Sequence, residues 1–283
     1  LILAANVRRL IMTNLKTLIT ALLLGTSVLA GAQESDMEDR KIRFGLHASP
    51  NFGWMNPNIS QFEKSGLQPR LGFGYGLVLD YKFSESSNYL FSTGFNITSN
   101  GGGLIEPYDS LVVNEISPNE TNEVYYTGKL DRTYRLNYVN VPLLLKMRTN
   151  EIGYMTYFAA IGMDLGFRTR AFANDDFDWQ DNGSALKPDD RDDENITKQM
   201  NFFRTALNIS AGGEYNLSGN TNLYFGLGWH NSFMNAFRNK DFNRILAPES
   251  NGYPDLNADG KAIPSERKKA FTNYISLDVG IFF

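Results

Sequence analysis

The chain has 283 residues, no cysteine, 25 glycines, 14 tyrosines, 20 phenylalanines and a formal net charge of −4. Without cysteine it forms no disulfide or thiolate metal site and carries no lipidated N-terminal cysteine. The acidic balance disfavours nucleic acid as a partner, and the length suits one large all-β domain or two small ones.

Residues 1–11 precede Met12 and are expected to be upstream read-through. From Met12 the sequence runs MTNLKTLITALLLGTSVLAGAQ, with Lys16 as a positive region, Leu18 to Val28 as a short apolar run and Ala30-Gly31-Ala32 as a small-x-small site. This layout predicts an export signal through residue 32, cleaved before Gln33. The apolar run is too short for a membrane anchor, and no later run approaches the ~20 residues a membrane helix needs. The mature chain, 33–283, is expected to be one domain.

Successive strand residues point to opposite faces, so alternation can be read as strand and face together. Ile42, Phe44, Leu46 and Ala48 alternate with Arg43, Gly45, His47 and Ser49, which predicts a first strand; Pro50 to Gln68 reads as a long loop. The second strand, Arg70 to Phe83, is the most regular. Leu71, Phe73, Tyr75, Leu77, Leu79, Tyr81 and Phe83 hold one parity, and glycine, Arg70, Asp80 and Lys82 sit on the other. It is about twice the usual strand length and matches the ~9–11 residues of a tilted membrane strand. After a short turn at Ser84–Asn88, the third strand uses Tyr89, Phe91, Thr93, Phe95 and Ile97. Gly101-Gly102-Gly103 is expected to open a second long loop to Asp131, with a small hairpin at Leu111–Val113 and Val124–Tyr126.

The fourth strand, Arg132 to Arg148, carries Val139, Val141, Leu143 and Leu145 on its apolar parity, whereas Tyr134, Leu136 and Tyr138 lie on the opposite one. The slip predicts a β-bulge near Asn137–Tyr138, and Pro142, lacking an N–H, suits a disrupted ladder. After the turn at Thr149–Gly153, the fifth strand places Met155, Tyr157, Ala159, Ile161, Met163, Leu165 and Phe167 on one face, with Asp164 and Arg168 on the other. A third long loop, Ala171 to Lys198, is rich in Asp. The sixth strand (Phe203 to Tyr215) has Arg204, Asn208 and Glu214 on its polar parity and turns at Ser218-Gly219-Asn220 into the seventh (Leu223 to Trp229). A fourth long loop spans Arg238 to Lys268, and the eighth strand ends the chain with Phe271, Ile275, Leu277, Val279, Ile281 and Phe283 on one face.

Eight strands, with connections that alternate long and short, predict an all-β, eight-stranded antiparallel up-and-down transmembrane barrel with short periplasmic turns and long extracellular loops. A soluble barrel would put the apolar parity inward. The opposite parity here holds Arg43, Arg70, Asp80, Lys82, Asp164, Arg168, Arg204, Glu214 and Asp278, which cannot form a dry core but can neutralise one another in a narrow lumen. Such a lumen is filled by side chains, so an open porin is not expected.

The export signal, the segment YVNVPLLLK at Tyr138–Lys146, Gly162 to Phe167 after it, and the terminal ISLDVGIFF together resemble the PorT-like outer-membrane β-barrel family of Bacteroidetes. The resemblance covers essentially the whole mature chain. It implies an eight-stranded barrel in the Gram-negative outer membrane, in contact with outer-membrane lipid and lipopolysaccharide. Its C-terminal strand, ending in Phe283, resembles the signal presented to the barrel assembly machinery. Some members of the family are accessories of type IX secretion and gliding, so secretion or surface-protein partners are implied. The family supplies no catalytic residue.

Three local patterns carry chemistry. Asp255-Leu-Asn257-Ala-Asp259-Gly260 followed by Glu266 fits the oxygen-ligand spacing of a twelve-residue calcium loop, without the flanking helices. Calcium in the fourth extracellular loop is therefore one reading, and a polar Asp/Asn/Gly turn the other. The Asp-rich third loop reads as a solvated acidic segment or as a cation bridge to lipopolysaccharide phosphates. His47-Ala48-Ser49 has the His-x-Ser spacing of a lipid A deacylase, but faces inward here and lacks a third group placed by sequence. The chain is expected to be a monomeric barrel without enzymatic activity, of structural or interaction type. A loop-mediated binder of calcium or glycan is the alternative, and a lipid A-modifying esterase a lesser one.

Overall fold

A computed structural model describes residues 41–58, 63–65, 69–83, 88–117, 120–179, 191–218, 221–238, 244–246 and 264–283. Among these described residues twelve strands occur in order: β1 Ile42–Pro57, β2 Glu63–Lys64, β3 Arg70–Lys82, β4 Tyr89–Ser117, β5 Glu120–Arg148, β6 Met155–Trp179, β7 Arg191–Asn195, β8 Phe203–Ser218, β9 Thr221–Ser232, β10 Arg244–Leu246, β11 Pro264–Arg267 and β12 Ala270–Phe282. Eight of them, β1, β3, β4, β5, β6, β8, β9 and β12, pair antiparallel in chain order. The last returns to the first, with Leu46 opposite Ile281, and closes the sheet. This is the expected eight-stranded up-and-down barrel. β2 adds to β4, β7 adds to β6, and β10 pairs with β11 apart from the wall.

The parity read from the sequence is the parity of the wall. Phe44, Leu46, Leu71, Phe73, Tyr75, Leu77, Ile161, Met163, Leu227, Leu277 and Val279 all face out and stand exposed, while Arg43, Asp80, Asp164, Arg204, Glu214 and Asp278 are buried inside. In water this exposed apolar belt would carry a large transfer penalty; against lipid it carries none. Tyr81, Phe83, Tyr89, Tyr154, Tyr157 and Tyr215 ring the short-turn end of the belt, and Phe52, Phe167, Phe202 and Phe233 its long-loop end. Rings with an apolar body gather at the two edges of a bilayer core in this way. Of the short connections, the one after Arg148 turns at Gly153, whose φ of 68° is left-handed and suits a residue without Cβ.

Several expectations on loops give way to longer strands. β1 continues through Pro50 to Pro57, so the stretch read as loop from Pro50 is strand for eight more residues. The β1–β12 ladder tolerates Pro50 because its pairs lapse at Ser49 and Pro50, between Ala48↔Val279 and Asn51↔Ser276, and resume in the same register. Gly101–Gly103 does not open a loop but lies within β4. A Cβ on Gly102 would come within 2.5 Å of the Met55 nitrogen, so the glycine lets the end of β1 pass against the β4 backbone. The small hairpin expected at Leu111–Val113 and Val124–Tyr126 is part of one continuous β4–β5 ribbon, with Val112 opposite Val124. Likewise β6 runs on to Trp179, and β7 pairs along it, inside the segment read as an acidic loop.

The bulge expected at Asn137–Tyr138 is present, but the extra residue belongs to the partner strand. Asn137 pairs with Arg170 and Tyr138 with Arg168, so Thr169 is the inserted residue on β6. β5 keeps its phase, and Tyr134, Leu136 and Tyr138 stay inside with Asn140 and Lys146. What changes along β5 is the chemistry of the lumen, from charge to hydrocarbon. Pro142 also interrupts a ladder as expected: the β4–β5 pairs lapse at Val141 and Pro142, between Thr93↔Leu143 and Asn96↔Asn140, without a change of register.

Candidate functional site: the lumen and its outer closure

Inward side chains of the eight staves form three layers. Nearest the short turns, Glu214 accepts from Arg43 Nη2 at 2.8 Å, Lys146 Nζ at 2.7 Å and Arg148 Nη2 at 2.9 Å. Lys146 Nζ also donates to Asp80 at 2.7 Å, and Ser92 Oγ donates to the same carboxylate at 2.6 Å. Phe158 and Phe282 each place a ring centroid 4.7 Å from the ammonium. Three cations and two carboxylates thus share a buried layer roofed by rings, a geometry in which opposite charges and cation–π contacts offset desolvation.

Above it, a polar chain crosses the lumen. Asn208 Nδ2 donates to Asp164 at 2.9 Å, and His230 Nδ1 lies 2.6 Å from the other oxygen of that carboxylate. His230 Nε2 reaches Ser276 Oγ at 3.2 Å, Ser276 donates to Asp278 at 3.2 Å, and Ser49 donates to Asp278 in a short contact. His47 Nδ1 lies 3.1 Å from Ser49 Oγ, and its Nε2 meets Asn96 Oδ1 at 2.5 Å. Both histidines of the chain therefore belong to one hydrogen-bonded row contributed by six staves.

Asp278 is the third group that sequence could not place beside His47 and Ser49, because it comes from the far end of the chain. The order of contacts is nevertheless wrong for a nucleophile. In a working triad the histidine stands between hydroxyl and carboxylate and takes the proton. Here Asp278 accepts from Ser49 directly, and the remaining nitrogen of His47 faces Asn96. Ser49 is buried, and the cavity beside it, lined by Ser49, Asn51, Asn96, His230 and Asp278, holds only about 70 Å³. That admits water and no acyl chain.

The third layer is apolar. Met55, Leu104, Tyr134, Leu136, Tyr138, Ala171, Ala173 and Ala270 from the wall enclose Ile196, Met200, Ala236 and Phe237 from two inward-folded segments. Those segments bridge through Met200 and Phe237. Asn201 Nδ2 donates to the carbonyls of Asn235 and Phe237 at 2.7 and 3.0 Å, and Asn235 Nδ2 donates to Lys268 O at 3.0 Å. The Phe237 ring meets Tyr134 edge-on at 5.5 Å. Sequence reading missed this plug, although the inward apolar run Tyr134, Leu136, Tyr138 was its signal. Beside it, outside the apolar belt, Glu106 accepts from Tyr134 and from Lys268 in short contacts, and Arg132 forks onto Asp175 with two bonds of 2.6 Å. Burial alone raises the Glu106 carboxyl, but Lys268 and Arg132 outweigh it and hold the group below its ordinary range.

Of the candidate calcium ligands, Asp255, Asn257 and Asp259 lie outside the described residues, and of Glu266 only the backbone is described, in β11. Among the described residues no group of three His, Asp or Glu is placed to hold a metal. Of the Asp-rich loop, residues 180–190 lie outside them.

A family model described as an outer membrane protein beta-barrel domain matches residues 31–228. No curated protein matches the chain. Among solved structures, Neisserial surface protein A is similar at 10% identity and a TM-score of 0.36, over 87% of this chain and 98% of that one. Ail, the attachment invasion locus protein of Yersinia pestis, is similar at 11% identity and 0.32, over 86% and 97%. OprG from Pseudomonas aeruginosa is similar at 12% identity and 0.30, over 88% and 99%.

Proposed function

Because the chain belongs to the outer membrane protein β-barrel domain family, we propose that it is a non-conducting, non-enzymatic barrel that works through the strands and loops at its outer end. The observation that carries this reading is the contrast between a filled lumen and overlong outer strands. β4 and β5 each have 29 residues and β6 has 25, where ~9–11 suffice to cross a bilayer. The excess stands beyond the belt as a paired ribbon, while three layers of side chains fill the lumen beneath it. A pore would need the opposite arrangement.

In this reading residues 12–32 are removed on export, and the short connections lie in the periplasm as is usual for such barrels. The segment YVNVPLLLK at Tyr138–Lys146 supports a PorT-like role as an accessory of type IX secretion or surface assembly. The test is removal of the β4–β5 ribbon beyond Glu106 and Leu130, followed by identification of proteins co-purifying in mild detergent. Loss of a specific partner is expected; an unchanged set would overturn the reading. The Asp255–Glu266 pattern supports a second reading, a calcium-dependent surface binder. Calorimetry on refolded protein decides it: no calcium heat, with Asp259→Ala behaving identically, removes that reading.

A further inference from the structure

Beside the polar row, the middle of the lumen keeps a cavity of about 70 Å³. β3 leaves it room, because its neighbouring inward positions are glycine. Gly74 borders the cavity, and a Cβ on Gly72 would come within 2.5 Å of Asn51 Oδ1, so the missing side chain lets that amide oxygen lie against the wall. At about 30 Å³ for each water, the volume takes roughly two water-sized particles.

Oxygen atoms that lack partners border it. Asn51 and Asn208 are 0% and 5% exposed, both line the cavity, and the Oδ1 atom of each is buried with no donor. Ser49 and Ser276 line it too, and both give their hydrogens to Asp278, which leaves them acceptors. Asp278 differs from the other buried carboxylates of the lumen. Asp80 and Glu214 bind Lys146, Glu106 binds Lys268, Asp175 binds Arg132, and Asp164 has His230 at 2.6 Å. Asp278 has two hydroxyls and, among the described residues, no lysine or arginine within ion-pair distance; His47 Nδ1 stands 3.9 Å off. A carboxylate out of water without a counter-charge is costly, and so is a buried amide oxygen without a partner. One small cation answers both. A single carboxylate among neutral oxygens suits a single charge, whereas calcium takes about 6–8 oxygens and magnesium keeps several waters, more than this volume admits.

We propose that the cavity is an occluded site for one sodium-sized monovalent cation, with Asn51 Oδ1, Asn208 Oδ1 and the Asp278 carboxylate as ligands and the Ser49 and Ser276 hydroxyls beside them. The ligands come from β1, β12 and β8, so the ion ties the two strands that close the barrel to a stave elsewhere in the sheet. The site is the same whichever end of the barrel faces out.

The test uses the full chain refolded into phosphatidylcholine vesicles and unfolded in urea, with sodium chloride replaced stepwise by N-methyl-D-glucamine chloride at one ionic strength; the organic cation is too large for the cavity. A ligand that binds only the folded state lowers the unfolding constant in proportion to its free concentration above Kd, so that constant should fall about tenfold for each tenfold rise in sodium. Asp278→Asn, which keeps the shape and removes the charge, should lose the sodium response. Gly74→Ala should fold, because its methyl meets Thr98, Ile97 and Ser49 at 3.4–3.5 Å, and should weaken the response by narrowing the cavity. Asn150→Ala, in a short turn, should respond as wild type. Equal unfolding constants in the two salts mean that the cavity holds water alone and overturn the proposal. A response that survives in both Asp278→Asn and Gly74→Ala also overturns it. The wild-type comparison decides even where a variant does not fold.

Discussion

Glu214→Gln is the sharpest test of the charged layer. The side chain keeps its size, but the acceptor shared by Arg43, Lys146 and Arg148 loses its charge. The layer then holds three cations against Asp80 alone, all within a space where Arg43, Lys146 and Glu214 are 3%, 3% and 1% exposed. Removing one partner from a buried ion pair costs ~3–5 kcal/mol because the remaining charge stays desolvated. With a urea slope of about 2 kcal/mol/M, the unfolding midpoint should fall by roughly 1.5–2.5 M. Lys146→Met should cost less: it leaves two cations and two carboxylates, and Arg43 already stands opposite Asp80 in the β1–β3 register. The assay is equilibrium unfolding in lipid vesicles, followed by tryptophan fluorescence and heat-modifiable gel migration. A Glu214→Gln midpoint within 0.3 M of wild type, or above that of Lys146→Met, would refute the charge count.

Leu77, outward at the middle of β3, should lose ~2–4 kcal/mol on substitution by Arg, read from the same vesicle unfolding; a loss under 1 kcal/mol would mean that it does not face lipid. Gly102→Val should cost about 1–3 kcal/mol, because the new Cβ meets backbone of Trp54 and Met55 at 2.5–2.8 Å and neither can move aside as a side chain could; unchanged thermal unfolding would refute that close approach. The Glu106 carboxyl is held below its unfolded value, so its contribution is complete above about pH 4.3 and is lost as pH falls further through the folded value. Hydrogen exchange in 196–201 and 233–238 should therefore accelerate below pH 4, and Glu106→Gln should show the faster exchange already at pH 7. Acid-independent exchange in the wild type would separate Glu106 from the plug.

The barrel itself was legible in the sequence for a simple physical reason. Strand parity is local, and a wall with lipid on one side and charge on the other writes that difference into every second residue. Leu71 to Phe83, Met155 to Phe167 and Ile275 to Phe283 each declare their face without reference to any partner. Strand ends were not legible beyond the bilayer, because β4–β5 leaves the lipid while still pairing, and the alternation that marks a strand fades where both faces meet water. Pro50 and Gly101–Gly103 carry the signals of loops, yet each lies where the ladder skips or where β1 passes against β4.

What only the tertiary structure decided is who meets whom inside. Glu214 and Arg43 are 171 residues apart, Ser49 and Asp278 are 229 apart, and Lys268 and Glu106 are 162 apart. Parity says that each points inward but not at what height, since height follows from register and from the bulge at Thr169. The sequence by itself determined the wall and its two faces. Closure of the sheet decided the rest: the three-to-two charge layer, the placing of Asp278 on Ser49 instead of behind His47, and the apolar plug around Phe237.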